Sequence, residues 1–254
     1  PLLGANRVAT RNLKAAFPDY SDDERARILG NMWEHLGRIA AELPHLPGKE
    51  FIKRNTVQGA EHIAPFAKKP ALYFSGHIGN WELLPSVLHY RDIDVTLVYR
   101  HTNNPYVDKM IAKLREVHSH SMFAKGPRGA FKLAKTLKHE RAICMLVDQK
   151  MNDGIAVPFF GRDAMTAPAI AQLAMRYNLP ILPMRVIRTQ GANFTTMLFP
   201  PLAFTTTGDE AADAKNMMIQ INTLLESWIR ERPEQWFWVH QRWPKEPIVP
   251  NASA

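Results

Sequence analysis

A single cysteine, Cys144, stands in a chain of 254 residues. One thiol excludes an intrachain disulfide framework and suits a reducing compartment. It lies in the apolar run Ala142-Ile143-Cys144-Met145-Leu146-Val147, which reads as a core strand. Burial as a small hydrophobe is therefore expected of it, rather than nucleophilic work. No apolar run is long enough to span a bilayer, and no signal peptide is present. The chain begins at Pro1 rather than Met, so a trimmed start with a membrane anchor upstream is the expectation. Acidic residues are in short supply: 24 Asp and Glu face 32 Lys and Arg, a net charge of +8. The basic excess is scattered, with no DNA- or RNA-binding signature, so nucleic acid is set aside as a partner. An anionic membrane surface, or an acidic or phosphate-bearing substrate or carrier, explains the charge better. Repeats and low-complexity tracts are missing too. So are paired cysteines and the His-Glu-x-x-His pattern of zinc sites, and neither metal nor cofactor is expected.

What is there is enough apolar residue, 46% of the chain, to bury a sizeable core. Ser21-Asp22-Asp23-Glu24 is a capping-box start. Ile28, Leu29, Met32, Trp33, Leu36, Ile39, Ala40 and Leu43 follow at helical spacing. Pro44-His45-Leu46-Pro47-Gly48 ends that helix. Residues 1–48 are thus read as an N-terminal helical, membrane-proximal segment. Residues 49–243 are read as the main domain, and 244–254 as an irregular tail. Strand-like runs are expected at 55–59, 71–75, 94–100, 121–124, 142–147, 181–187 and 194–199. Helix-like runs are expected at 81–90, 105–117, 129–138, 167–177 and 211–231. This alternation predicts an α/β fold, a largely parallel central sheet flanked by helices. The Thr-rich run 194–204 is expected to add an antiparallel edge.

The chemistry gathers in Ser75-Gly76-His77-Ile78-Gly79-Asn80-Trp81-Glu82. A His between a strand and a helix stands on the rim where function collects in α/β folds. Glu82, placed one helical turn on, is expected to reach back, fix the tautomer of His77 and stabilise its imidazolium. Asp148, at the end of another strand, is the alternative orienting carboxylate. No nucleophile lies nearby, so His77 suits direct proton abstraction from a substrate hydroxyl. Backbone N–H groups at Ile78 to Asn80 are candidate oxyanion donors. The loop Lys125-Gly126-Pro127-Arg128-Gly129 offers Lys125, Arg128 and backbone N–H groups to a phosphate. Arg100, at the end of a strand, is expected with Arg128 to bind phosphate on the lipid or on the carrier's pantetheine arm, a surface salt bridge being the alternative for each. Val157-Pro158-Phe159-Phe160-Gly161-Arg162 is an aromatic loop. Phe159 and Phe160 are expected to line a groove for an acyl chain, a core plug being the alternative.

In this order, these segments resemble the bacterial lipid A biosynthesis acyltransferases of the late, lauroyl/myristoyl-transferring kind. The resemblance starts at Asn12-Leu13-Lys14-Ala15-Ala16-Phe17-Pro18 and runs through His77-x4-Glu82, Arg100, Asp148-Gln149 and the Phe-Phe-Gly loop. It closes on Pro233-Glu234-Gln235-Trp236-Phe237-Trp238-Val239-His240-Gln241-Arg242. The dyad is shared with glycerolipid acyltransferases generally; the last two segments are more specific. The resemblance implies a glycerolipid-acyltransferase-like fold at the cytoplasmic face of the inner membrane. It implies acyl transfer from an acyl carrier protein thioester to a hydroxyl of a lipid A precursor. Transfer from coenzyme A to another glycolipid or phospholipid is the alternative. From another class, a non-catalytic membrane-peripheral lipid-binding protein would use His77 and Glu82 only as a structural hydrogen bond.

Overall fold

The computed structural model describes residues 2–99, 104–116, 119, 121–124 and 142–244. Two long helices come first, α1 (Leu2–Ala16) and α2 (Asp22–Glu42). The capping box at the start of α2 is complete: the Ser21 hydroxyl accepts from the Glu24 N–H, and Glu24 accepts from the Ser21 N–H. Short helices α3 (Lys49–Ile52) and α4 (Ala60–Ile63) flank strand β1 (Asn55–Gln58). Next come β2 (Leu72–Ser75), helix α5 (Leu84–His89), β3 (Val95–Tyr99), α6 (Pro105–Arg115) and β4 (Ser121–Ala124). After β5 (Ala142–Leu146) come β6 (Lys150–Phe159) and β7 (Arg162–Thr166), then α7 (Ala169–Tyr177). Strands β8 (Ile181–Gln190) and β9 (Asn193–Leu198) and helix α8 (Glu210–Glu231) follow, and a short 3-10 turn at Pro233–Gln235 leads into the C-terminal segment.

Among the described residues, seven strands form the central sheet in the order β1-β9-β8-β2-β5-β3-β4. All neighbours run parallel except β8 and β9, which pair antiparallel. The sheet is thus largely parallel, as the alternating pattern implied. The expected antiparallel edge is displaced, because β1 pairs outside β9 and takes the edge position. Burial on both faces explains why β2 and β5 read as continuous apolar runs. Alternate side chains feed two cores: Leu72, Phe74, Ile143 and Met145 on one face, Tyr73, Ala142 and Cys144 on the other. The first core also takes Leu13, Phe17 and Met32 from the N-terminal segment, together with Trp228 and Trp236.

The aromatic stretch expected as a loop is a hairpin. β6 and β7 pair antiparallel through Phe159 and Arg162. The two residues between them, Phe160 (φ 52°) and Gly161 (φ 71°), carry the left-handed backbone of a tight hairpin turn. Glycine accepts that geometry freely; Phe160 does not. It is held there by its N–H bond to Glu226 (2.6 Å) and by packing against Phe17 and Trp243.

Candidate active site

β2, β5 and β3 run parallel and end at one edge of the sheet. β2 delivers His77 there and β5 delivers Asp148, two residues past each strand's last position. The Val147 N–H bonds the Ser75 carbonyl (3.0 Å), so the two chain exits lie side by side. Residues 77–80 form no helix; only 81–83 make a short 3-10 turn before α5. The segment lies flat on the fold because Gly79 adopts φ 56° and passes over β8, where a Cβ would run into the Val186 carbonyl oxygen. The C-terminal segment pins its other side. Gly79 N–H donates to the Gln235 carbonyl and Phe237 N–H to the His77 carbonyl, with Ile78 bridged to Trp236. Asn12 of α1 clamps that segment through the Trp238 and His240 carbonyls (2.8 and 2.6 Å).

Asp148 is fully buried and holds His77 at two points. One oxygen accepts the His77 backbone N–H (2.7 Å), and the other meets the imidazole Nδ1 (2.7 Å). The Trp236 indole N–H adds a third bond (2.8 Å). Burial pushes the Asp148 pKa upward, but the pull of His77, its hydrogen bonds and the nearby His240 outweigh it. The carboxyl is held well below the usual carboxylate range. An ionised carboxylate only accepts, so Nδ1 of the neutral ring carries the proton and Nε2 keeps its lone pair. The ring is wedged between Trp81 (5.1 Å) and Phe237 (5.8 Å), and the Gln149 side-chain amide stands 3.4 Å from Nε2.

Beside the ring lies a cleft of about 690 Å³, counting the part open to solvent. Leu84, Pro85, Leu97, Cys144 and Leu146 give it an apolar wall; His77, Glu82, Arg115 and Gln149 line its polar side. An apolar wall facing a few convergent polar groups suits a small-molecule or acyl-chain site. Burial pushes the Cys144 thiol up to about 12, so it is a wall rather than a nucleophile.

The expected reach of Glu82 to His77 does not occur. The two residues are five positions apart with no helix between them, so nothing brings their side chains together. Both Glu82 oxygens are taken by Arg115 of α6, with the Trp81 indole also bonded to one (3.0 Å). The pair is largely buried, at 20% exposure for Arg115 and 7% for Glu82. Ile78 and Gly79 are also corrected as oxyanion donors, because their N–H groups bond Gly76 and Gln235. Phe159 and Phe160 are not among the residues that line this cleft. They are 1% and 6% exposed and pack against Trp236, Trp238 and Trp243 in the core. The hairpin places both rings in the first core. Arg100, Lys125 and Arg128 lie outside the described residues.

Residues 2–245 match the family of bacterial lipid A biosynthesis acyltransferases. The chain belongs to this family. It is an acyltransferase, and its family's work is acyl transfer in lipid A biosynthesis. A lipid A biosynthesis acyltransferase of Haemophilus influenzae is 27% identical, over 94% of this chain and 78% of its own. The lipid A biosynthesis lauroyltransferase of Escherichia coli is 24% identical over 95% and 79%. The palmitoleoyltransferase of the same organism is 22% identical over 95% and 79%. Among the described residues of the acyltransferase, no helix is long and apolar enough to cross a membrane.

Three partners of the site escaped sequence reasoning. Arg115 sits 33 residues beyond Glu82, and no local spacing links the two. The Trp236 indole N–H holds Asp148 from 88 residues away. Arg188 also matters: it grips Glu42 of α2 with both guanidinium NH groups, and Glu42 accepts from Asn80 (2.8 Å). Asn80 caps the turn that carries Glu82. This buried chain ties α2 to the segment after His77. A run of unremarkable polar residues could not announce it.

Proposed function

We propose that the acyltransferase moves a fatty acyl group from an acyl carrier protein thioester to a hydroxyl of a lipid A precursor, with His77 as general base and Asp148 as its orienting carboxylate. The observation that carries this reading is the two-point grip of a buried, ionised Asp148 on His77. It leaves Nε2 unprotonated at the cleft. Nε2 takes the proton of the acceptor hydroxyl as its oxygen attacks the thioester carbonyl, and the proton then passes to the departing thiolate. Asp148 steadies the imidazolium in between. Glu82 acts at one remove, through the ion pair with Arg115 that shapes the cleft rim. The donor's acyl chain lies along Leu84, Leu97, Cys144 and Leu146, where each buried methylene contributes about 0.8 kcal/mol.

The lipid acceptor requires the cleft to meet a membrane, and the reading puts the protein at the cytoplasmic face of the inner membrane. Its support is α6, which reaches the cleft through Arg115. Tyr106 (86%), Met110 (51%) and Val107 (38%) are exposed on that helix, with Lys109 and Lys113 beside them. Apolar rings and thioethers interleaved with Lys suit an anionic lipid interface. The test is direct: supply the purified protein with acyl carrier protein or coenzyme A thioesters and a lipid A precursor, and weigh the lipid product. Transfer from the carrier protein that His77→Ala abolishes supports the reading; transfer from coenzyme A alone replaces the donor.

A further inference from the structure

We propose that the side-chain amide of Gln149 is the oxyanion donor of this reaction, touching the reacting carbonyl oxygen directly. The inference rests on the reading of His77 as base. Direct transfer creates a tetrahedral intermediate whose oxygen carries a full negative charge, and an apolar-walled cleft needs donors placed where that charge forms. Two backbone groups beside the base are committed elsewhere: Ile78 N–H to Gly76 (2.8 Å) and Gly79 N–H to Gln235 (3.0 Å). The Trp81 indole N–H and the Nε and Nη2 groups of Arg115 bond Glu82, which holds that guanidinium at the cleft rim in a largely buried ion pair. Among the described residues, Gln149 lines the cleft with an amide whose recorded acceptor is the base itself.

Two features make the amide suitable. First, its nitrogen, not its oxygen, faces His77, because Nε2 carries a lone pair when Asp148 holds the proton on Nδ1. The bond is long, 3.4 Å, so an entering hydroxyl displaces it readily and frees both amide protons. Second, Gln149 follows Asp148 directly, so the backbone that fixes the orienting carboxylate also fixes the donor's distance from the ring. In the step, the acceptor O–H proton goes to Nε2 and the oxygen bonds the thioester carbon. The carbonyl π pair moves onto oxygen, which accepts from the Gln149 amide. Collapse re-forms the carbonyl, breaks the C–S bond and returns the proton from Nε2 to the leaving sulfur.

Gln149→Ala and Gln149→Met, the second keeping the volume without the donor, test this beside His77→Ala. The probe is dodecanoyl–acyl carrier protein with a purified lipid A precursor, with thermal melts to confirm folding. Loss of one such donor should lower kcat about 100- to 1,000-fold in both Gln149 variants. KM should stay within about threefold and the pH–rate profile should keep its shape. Turnover near wild type, a loss in KM alone, or a displaced profile with full kcat on its plateau would each overturn the assignment. A His77→Ala enzyme that still turns over normally would instead sink the reading on which it rests.

Discussion

Asp148→Asn changes one atom and should nearly silence the enzyme. In the native site one carboxylate oxygen accepts two donors, the His77 N–H and the Trp236 indole, while the other faces Nδ1. An asparagine keeps its single carbonyl oxygen where two donors converge. Its NH2 then points at Nδ1. Two N–H groups cannot face each other, so the imidazole proton moves to Nε2, which is the nitrogen that must be free to act as base. The same tautomer error in a Ser-His-Asp site is known to cost about 10,000-fold, and general-base catalysis contributes about 100- to 10,000-fold. A fall of about 1,000- to 10,000-fold in kcat is expected, or roughly 4–5.5 kcal/mol of transition-state stabilisation. Stability should fall less, by about 1.5–3 kcal/mol, the worth of one hydrogen bond to a charged group. Steady-state transfer from dodecanoyl–acyl carrier protein, read beside a thermal melt, separates the two. A folded Asp148→Asn protein with kcat within about tenfold of wild type would refute the tautomer argument.

Other consequences follow from the same geometry. Glu82→Gln removes the charge that offsets the largely buried Arg115; it should lower stability by about 1–3 kcal/mol and reduce kcat less than Asp148→Asn does, by denaturant melts and rate assays. Leu97→Ala enlarges the cleft wall and should shift preference towards longer donors. Phe160→Ala should leave preference alone while costing about 3–5 kcal/mol of stability, and a shift in preference with Phe160 alone would restore it as a chain contact. Burial, with Arg188 beside it, lowers His35 to about 4, and burial lowers His240 to about 4 against the pull of Asp148. Between pH 6.5 and 4 the unfolded chain therefore binds protons that the folded chain refuses. Stability should drop as pH falls through that window, by at most about 1.4 kcal/mol per unit for each group. A flat denaturation midpoint across the window would contradict it. Tyr106→Ser with Met110→Ser should weaken binding to anionic vesicles, as should added salt, since each nearby Lys is worth about 1 kcal/mol; vesicle sedimentation reads both.

Much of the fold is written locally, and much of the site is not. The strands β2 and β5 announce themselves because both faces are buried and their runs are apolar but for Ser75. The capping box of α2 fixes a helix start within four residues. The hairpin of β6 and β7 was hidden by Gly154, Pro158 and exposed polar positions, which read as loop. Its turn holds Phe160 at positive φ, a geometry that tertiary packing imposes and no propensity suggests. The spacing of His77 and Glu82 pointed to a helical contact, but Gly79 and the bridge to Trp236 flatten that segment. The carboxylate that meets His77 comes from 71 residues away. It could be named in advance only because two parallel strands must end at the same sheet edge.

One reconstitution bears most directly on the account. Purified protein, dodecanoyl–acyl carrier protein and a lipid A precursor are incubated together, and the lipid is analysed by mass spectrometry, with His77→Ala in parallel. The account predicts a lipid heavier by one acyl chain from the native protein, and none above background from the folded variant. Equal product from both, or a covalent acyl–enzyme trapped on Cys144, would contradict direct transfer through His77.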